Sequence, residues 1–481
     1  MIRTVYILIS LVTIAGCSMF QPQMRPDAPI DLPEHFSLYT SDASGPDRWW
    51  KSFGSDELNQ LVIEALAGNF DVRTAWARLK QADTAARQAG ADLMPTIDYS
   101  AGADKSWRQT RTDDSGTDHT QSKTFVAGLV AAYELDLWGR LDAQRQSEEL
   151  TRDASAEDLQ AAAITVAAEV TTTWVDILSA RRQIAVLEDQ IAMNERMLKL
   201  QELRFVNGQA DALDVSQQRS ALAAARANLP GLQLTEQQQL NALAVLLGHA
   251  GTGSLTIAQN TLPDLIPLPD AGLPADLLAD RPDVRAAGLR LRSADWQVSA
   301  AQADRLPAIT LSAEAAFSSE ALNLLFSNWV TTLAASLTGP IFDGGYRSAE
   351  VDRTRGVAEE YLTAYAQTVA EAIKEVEDSL VTETRQREYI DLLEEQLKAS
   401  RLTLKDAHLQ YMNGQDNYLS YLTAWTSVQT LERQLVDEQA TLIKNRITLY
   451  RTLGGEWTGE WAAGANGISK QKDAVDALAN G

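Results

Sequence analysis

The sequence predicts a mainly α-helical chain with membrane β-strands, built as a tandem duplication. Three observations predict this fold class: long stretches free of Gly and Pro, two pairs of segments with alternating polarity, and motifs that recur about 210 residues apart. Only 27 Gly and 14 Pro occur among 481 residues, so few helix breakers interrupt the chain.

Composition excludes several classes of function. The chain has 42 Lys and Arg against 65 Asp and Glu, a formal net charge of −23, which repels the phosphate backbone of nucleic acids. One Cys and four His are too few for a disulfide framework or a multi-cysteine zinc site. The sequence contains no nucleophile elbow, P-loop or His-Glu-x-x-His motif, so we predict no catalytic site, no metal site and no enzyme.

The N-terminus predicts a processed and lipidated protein. Residues 1–16 are typical of a signal peptide, because Arg3 precedes an apolar run, Val5–Ala15, that is too short to span a membrane. The segment Ile14–Cys17 resembles the bacterial lipobox, which implies an S-diacylglycerol and an N-acyl chain on Cys17. An ordinary signal peptide with an incidental Cys is the alternative. Residues 17–48, with four Pro between Pro22 and Pro33, predict an extended tether.

The duplication is read from recurring motifs. Asp71-Val72-Arg73 recurs as Asp283-Val284-Arg285, 212 residues later, and Asn207-Gly208-Gln209 recurs as Asn413-Gly414-Gln415, 206 residues later. The difference of six residues is assigned to a polar insert in the first copy, Gln109–Ser122. The predicted organisation is a first repeat at 49–248, a Pro-rich linker at 249–281, a second repeat at 282–455 and a C-terminal tail at 456–481.

Each repeat contains two segments in which apolar and polar residues alternate, which is the period of a β-strand. The four predicted strands cover about 96–108, 123–137, 308–318 and 328–340. One apolar face with aromatic residues near the strand ends is typical of a membrane β-barrel wall; a sheet packed on helices is the alternative. Because four strands cannot close a barrel, other subunits must complete it, and three chains would supply twelve strands.

The remainder of each repeat is predicted to be helical. Arg140–Phe205 lacks Gly and Pro, and Arg347–Met412 contains only one Gly, so each run could form a helix of roughly 100 Å. Each ends at Asn-Gly, a helix-stop signal, and is followed by an antiparallel return of about 40 residues. Two shorter helices are predicted before the strands, at about Leu58–Leu93 and Asp283–Leu306.

Together these motifs resemble the TolC-like outer membrane factors, in particular the OprM/NodT-type efflux lipoproteins. The resemblance is carried by the lipobox, the two Asn-Gly-Gln turns, Arg281–Arg285, and the strand exits Leu135–Arg140 and Gly339–Gly345. It implies a homotrimer with a twelve-stranded outer-membrane barrel continuous with a periplasmic α-helical barrel, and an equatorial belt formed by the linker and the termini. It also implies an exit duct for small molecules, working with a periplasmic adaptor and an inner-membrane pump of the RND type.

The resemblance further implies a periplasmic gate and an adaptor contact. Alignment on the Asn-Gly turns places a gate link at Asp214 and Tyr411, while two positions that are often acidic in the family carry Ser420 and Thr423. The remaining expected gate residues are Asp416 and Leu419. Adaptor contact is expected at Asn207, Gly208, Asn413 and Gly414. An alternative for Asp214 and Asp416 is that they only stabilise the first turns of helices.

Two other functions stay open from the sequence. A type I protein-secretion conduit would share the same channel architecture, because the pump rather than the channel selects the cargo. A structural lipoprotein scaffold without a pore would need no lipid-facing strands, which the alternating segments supply. The predicted location is the Gram-negative outer membrane, with contact to its lipid and extension into the periplasm.

Overall fold

The structure is a computed structural model that describes residues 20–22, 25, 30–33, 35–36, 48–112, 116–251, 253, 255–265, 268, 274, 280–455, 457–459 and 461–462. The chain divides into two compact units. The sheet unit comprises Met1–Pro29, Leu79–Ser155 and Ala286–Tyr365, and the helical unit comprises Ile30–Arg78, Ala156–Arg285 and Ala366–Gly481. The predicted signal peptide and Cys17 lie outside the described residues.

The elements follow one another in the order that the duplication predicts. In the first repeat they are a 3-10 helix Trp49–Phe53, α1 Asp56–Gly68, α2 Phe70–Ala91, β1 Thr96–Thr112, β2 Gly116–Leu135, α3 Arg140–Val206 and α4 Ala212–Leu246. In the second they are α5 Pro282–Ala303, β3 Ala308–Ser319, a 3-10 helix Leu322–Ser327, β4 Trp329–Thr338, α6 Tyr346–Met412 and α7 Tyr418–Leu453. The helices and the four strands confirm the predicted fold class of the chain.

The sheet unit contains one antiparallel sheet in the order β1-β2-β3-β4. Its register pairs odd-numbered residues with odd-numbered residues across all four strands, for example Tyr99 with Leu129 and Ala313 with Leu333. The odd positions therefore share one face, called here the apolar face, and the even positions form the polar face. Four separate alternating segments thus combine into one continuous apolar surface.

The first hairpin is longer than predicted. The segment Gln109–Ser122, expected to be a polar insert, continues the ladder, because Gln109 pairs with His119 and Ser106 with Ser122. The Ser106 and Ser122 hydroxyls are 2.8 Å apart, and both strands remain paired up to Thr112 and Gly116. The insert therefore lengthens the hairpin, and its polarity reflects two solvated faces rather than a loop.

The predicted helix Leu58–Leu93 is two helices. The break falls at Asn69, whose side-chain oxygen accepts hydrogen bonds from Asp71 N at 2.8 Å and Val72 N at 3.3 Å. Asn69 thus satisfies backbone donors at the start of α2, as N-cap residues do. The break was not predicted from the sequence, because the apolar pattern is otherwise regular on both sides of Asn69.

The two long helices each contain 67 residues, or about 100 Å at the α-helical rise. Part of α3 is long and apolar enough to cross a membrane by composition alone, yet 67% of that stretch is buried inside the protein. Burial of this extent is typical of a core helix. Pro230 lies within α4 without ending it, contrary to the usual effect of an interior Pro.

Equivalent contacts join the helix ends in the two repeats of the helical unit. Asn69 Nδ2 donates to Leu246 O at 2.9 Å, and Arg281 Nη1 donates to Thr452 O at 3.2 Å. These donors and acceptors are related by the two offsets found in the sequence, 212 and 206. The two repeats therefore use a polar side chain at the same place to satisfy a carbonyl at the end of the returning helix.

The core of the helical unit joins the start of the first repeat to residues that follow the second. Trp49 and Trp50 are buried; Trp49 stacks on Tyr450 with ring centroids 5.3 Å apart, and Trp50 meets Trp457 at 4.8 Å. Trp457 and Thr458, which the sequence assigned to the tail, are also buried. The first described residues of the predicted tail therefore belong to the core, because the Trp457 indole packs against Trp50.

Candidate functional site at the helix turns

The turn between α3 and α4 begins at Asn207 and Gly208. Gly208 has φ of 70°, the left-handed conformation that glycine adopts without a Cβ penalty. Its N–H donates to Phe205 O at 3.0 Å, and Gln209 N donates to Arg204 O at 2.8 Å. These paired bonds are a Schellman motif, which satisfies the last carbonyls of the helix.

The turn between α6 and α7 repeats this geometry. Gly414 has φ of 69°, its N–H donates to Tyr411 O at 3.1 Å, and Gln415 N donates to Gln410 O at 2.9 Å. The Asn-Gly residues of both turns are exposed. The four residues expected to contact an adaptor, Asn207, Gly208, Asn413 and Gly414, thus lie on accessible turns, whereas the contact itself stays a prediction.

Asp214 and Ser420 occupy the same position in the two returning helices. Asp214, at the third residue of α4, accepts a hydrogen bond from Asp211 N at 3.3 Å. Ser420 donates to Asn417 Oδ1 from its N at 3.0 Å and from its hydroxyl at 3.2 Å. Both side chains thus stabilise the first turn of a helix, and only the first repeat places a carboxylate there.

The other expected gate residues lie close to Ser420 in sequence but differ in exposure. Leu419 is 51% exposed, and Thr423, also exposed, donates its hydroxyl to Leu419 O at 2.8 Å. Asp416 is half-buried before the N-cap and accepts from Asn417 N at 2.7 Å. Asp416 is therefore not a first-turn acid, and the gate role of all three residues remains a prediction.

Tyr411 is buried and has a partner that the sequence did not suggest. Its hydroxyl donates to Gln201 Oε1 at 2.9 Å, and the Arg204 guanidinium lies 4.5 Å from its ring centroid. No hydrogen bond joins Tyr411 to Asp214 among the residues that the structure describes. Because the single hydroxyl proton is directed at Gln201, the link expected from the resemblance is not formed within one chain.

A buried polar cluster lies beside the turns and was not predicted. Tyr418 donates to Gln218 Oε1 at 2.6 Å, and Gln218 donates to Asn194 O at 2.9 Å. Asn194 Oδ1 accepts a hydrogen bond from Trp425 Nε1 at 3.3 Å, and Gln190 donates to Gln429 O at 3.0 Å. The sequence signal that could have revealed this cluster is a pair of polar amides, Gln190 and Asn194, four residues apart on the buried side of a helix. The cluster joins α3, α4 and α7 through directional bonds.

Burial changes the acidity of the three tyrosines beside the turns. Desolvation raises the pKa of Tyr418 well above its usual value, and nearby Tyr421, Tyr411 and Asp214 add to the shift. Burial also raises the pKa of Tyr411 and of Tyr421. All three phenols are therefore neutral donors at physiological pH. Their rings pack together, with the Tyr411 and Tyr418 centroids 5.3 Å apart.

The side chains beside the turns supply packing and polar contacts. Among the described residues no group of three or more His, Cys, Asp or Glu is arranged to hold a metal ion. Large apolar side chains are exposed around the first turn: Val206 at 81%, Leu213 at 64% and Leu203 at 61%. These three side chains leave apolar surface exposed beside the turn in a single chain.

Comparison with known proteins identifies the family. The outer membrane efflux protein family matches residues 61–249 and 273–455. The pyoverdine export outer membrane protein OpmQ of Pseudomonas aeruginosa is 32% identical over 432 residues, covering 87% of this chain and 90% of OpmQ. The cation efflux system protein CusC of Escherichia coli is 28% identical over 454 residues, covering 92% and 96%.

Solved structures agree with the sequence relatives. The outer-membrane channel OprN superimposes with a TM-score of 0.84 at 27% identity, covering 92% of this chain and all of that one. The outer membrane protein VceC of Vibrio cholerae gives a TM-score of 0.79 at 26% identity, covering 86% and 100%. The duplicated helices, the four-stranded sheet and these matches lead to one conclusion: the chain belongs to the outer membrane efflux protein family and is a TolC-like efflux channel of the Gram-negative outer membrane that extends into the periplasm.

Proposed function

We propose that three copies of the chain form a homotrimer whose twelve strands close one barrel. The observation that carries the proposal is the four-stranded sheet, in which β1 and β4 are the edge strands. Its apolar face is open to solvent in a single chain, with Tyr99 85% and Leu333 80% exposed. Lipid tolerates neither a free sheet edge nor a partly closed barrel, so pairing of β1 with β4 of a neighbouring copy satisfies both edges.

We further propose that the trimer is the exit duct of a tripartite efflux system. In this arrangement the turns at Asn207–Gly208 and Asn413–Gly414 contact a periplasmic adaptor, and an inner-membrane pump of the RND type supplies the cargo. Exposed Val206 and Leu213 provide apolar surface beside the first turn. Such surface supports docking of another helical protein.

The proposed cargo is a small molecule. OpmQ is named for pyoverdine export and CusC for cation efflux, and both cargoes are small. We include lipidation of Cys17 in the proposal, because the only Cys of the chain stands at the predicted cleavage position. Acyl chains there would add a membrane anchor to the barrel.

The test is photo-crosslinking in cells from Asn207 and Asn413, with trapped proteins identified by mass spectrometry. Capture of the adaptor of a proton-driven pump is expected. Capture of an adaptor that serves an ATP-driven exporter would favour protein secretion instead. Unheated electrophoresis of the extracted protein should show a species three times the mass of the heated monomer; a monomer without periplasmic partners would overturn the proposal.

A further inference from the structure

The apolar face of the sheet carries charges of one sign only. Its odd-numbered positions hold Lys105, Arg111 and Lys123 but neither Asp nor Glu within the four strands. The acidic residues of the strands stand on the polar face, among them Asp98, Asp104 and Glu314. In a chain of net charge −23, this separation of charge points to an anion that meets the apolar face alone.

Two of these charges are directly opposed. Lys105 pairs with Lys123 across β1 and β2, one step beyond the last apolar pair, Ala103 with Phe125. Both lysines are exposed, and neither forms an ion pair within the described part of the chain. Like charges placed opposite each other on neighbouring strands repel. An anion that binds between the two ammonium groups would remove that repulsion.

The surroundings match a boundary between lipid and water. Trp107 follows Lys105 on the same face, is 70% exposed, and has the Lys105 ammonium 4.7 Å from its ring centroid. Trp is enriched where a membrane protein meets the headgroups, and Lys can extend its charge towards them from an apolar stem. Beyond this level, from Gln109 to Arg111, β1 is polar on both faces.

The orientation of the strands selects the leaflet. Within the sheet unit, helices join the strands at the Thr96, Leu135, Ala308 and Thr338 ends, whereas Lys105 and Lys123 lie towards the β1–β2 turn. The helices of this family extend into the periplasm, so the lysine pair lies towards the cell exterior. The anionic groups available on that side of the apolar face are headgroups of the outer leaflet.

We propose that Lys105 and Lys123 bind the phosphorylated headgroup of an outer-leaflet glycolipid. Lys binds phosphate as a compact point charge, and the two opposed ammonium groups would share one phosphate. The acyl chains of the same lipid would lie along the apolar residues below, from Phe125 towards Leu129. The site therefore recognises charge and apolar surface together.

The test uses the full-length assembled protein in detergent and measures binding of diphosphoryl lipid A by native mass spectrometry. The Lys105→Gln/Lys123→Gln variant should bind this lipid about 30-fold more weakly, because each basic residue near an anionic headgroup contributes about a factor of five. The Lys105→Arg/Lys123→Arg variant should retain binding. Arg108→Gln, which removes a positive charge from the polar face, should leave binding unchanged.

Two probes test whether the lysines recognise the phosphate of a lipid headgroup. Lipid A stripped of its phosphates should bind the wild type as weakly as diphosphoryl lipid A binds the glutamine variant. Equal binding of the stripped lipid would overturn the proposal, since acyl contacts alone would then suffice. Displacement of the lipid by millimolar inorganic phosphate would also overturn it, because the site would then recognise free phosphate. Unheated electrophoresis confirms that each variant is assembled as the wild type is.

Discussion

Arg446 and Glu383 form an ion pair in which both side chains are fully buried. Arg446 Nε donates to Glu383 Oε2 at 2.9 Å, and Arg387 Nη2 donates to Glu383 Oε1 at the same distance. Burial opposes the charge on Arg446, but the hydrogen bond and charge of Glu383 raise its pKa above the usual value. The pair joins α6 to α7 far in sequence from the turns.

Glu383→Ala should therefore destabilise the helical unit by about 3–5 kcal/mol, because it removes the carboxylate that compensates the buried charge of Arg446. Thermal unfolding followed by circular dichroism measures the change. The matched control is Glu388→Ala, which breaks an exposed pair with Arg385 and should cost less than about 1 kcal/mol. Equal effects of the two variants would contradict the assignment of the buried pair.

Gly248 should not tolerate a side chain. It has φ of 83°, and a Cβ there would lie 2.3 Å from Gly68 O. Gly248→Ala should lower stability by more than about 1 kcal/mol, since strain and overpacking combine. Gly356→Ala, in the middle of α6 with nothing near the added Cβ, should instead raise stability by up to about 1 kcal/mol. A neutral Gly248→Ala in the same melting experiment would refute the close packing.

The buried tyrosines predict a loss of stability in alkali. The pKa of Tyr418 is higher in the folded chain than in the unfolded chain, where it is about 10. Above pH 10 the unfolded state releases this proton first, so stability is complete below pH 10 and falls as pH rises further. Hydrogen exchange of the α7 amides between pH 8 and 11 should show this fall. Tyr418→Phe should flatten this dependence on pH, and it should cost about 1–3 kcal/mol because Gln218 Oε1 loses its buried donor. An unchanged profile would refute the role of Tyr418.

Substitutions of Asp214 and Tyr411 beside the turns should change the conductance of the channel. Asp214→Ala removes the bond to Asp211 N at the start of α4, and Tyr411→Phe removes the bond to Gln201. Each loss should loosen the turn and raise single-channel conductance in planar bilayers. Ser216→Ala, on an exposed position of α4, is the control. Conductance equal to that of the control would remove Asp214 and Tyr411 from the gate.

The two sheet faces should respond differently to charge. Leu333→Arg places a charge on the apolar face, where insertion into lipid should become less favourable by about 2–4 kcal/mol near the middle of the bilayer. Thr332→Arg, its neighbour on the polar face, should insert normally. The amount of heat-modifiable trimer in outer-membrane fractions measures both. Equal yields of the two variants would show that the apolar face does not meet lipid.

Much of the fold could be predicted because its signals are periodic and repeated. The strands were predicted from alternation of apolar and polar residues, and the turns from Asn-Gly, since only a residue that tolerates positive φ fits there. The break at Asn69 and the long first hairpin were missed. Both depend on where individual side chains find hydrogen-bond partners, which local polarity does not reveal.

The candidate site was predicted only in part. Asn207, Gly208, Asn413 and Gly414 were placed at turns from local motifs, and the structure leaves them accessible. The partner of Tyr411 could not be predicted, because Gln201 lies on α3, 210 residues away. A resemblance transfers residue positions, but a hydroxyl binds whichever acceptor the packing of this chain provides.

The sequence by itself determined the element types, the duplication and the segregation of apolar from polar residues in each strand, because these depend on spacing along the chain. The tertiary structure decided which strands lie side by side, which side chains share a face, and which polar groups are buried together. Lys105 and Lys123 illustrate the difference: each is an ordinary exposed lysine in the sequence. Only the register of β1 against β2 brings their charges into direct opposition.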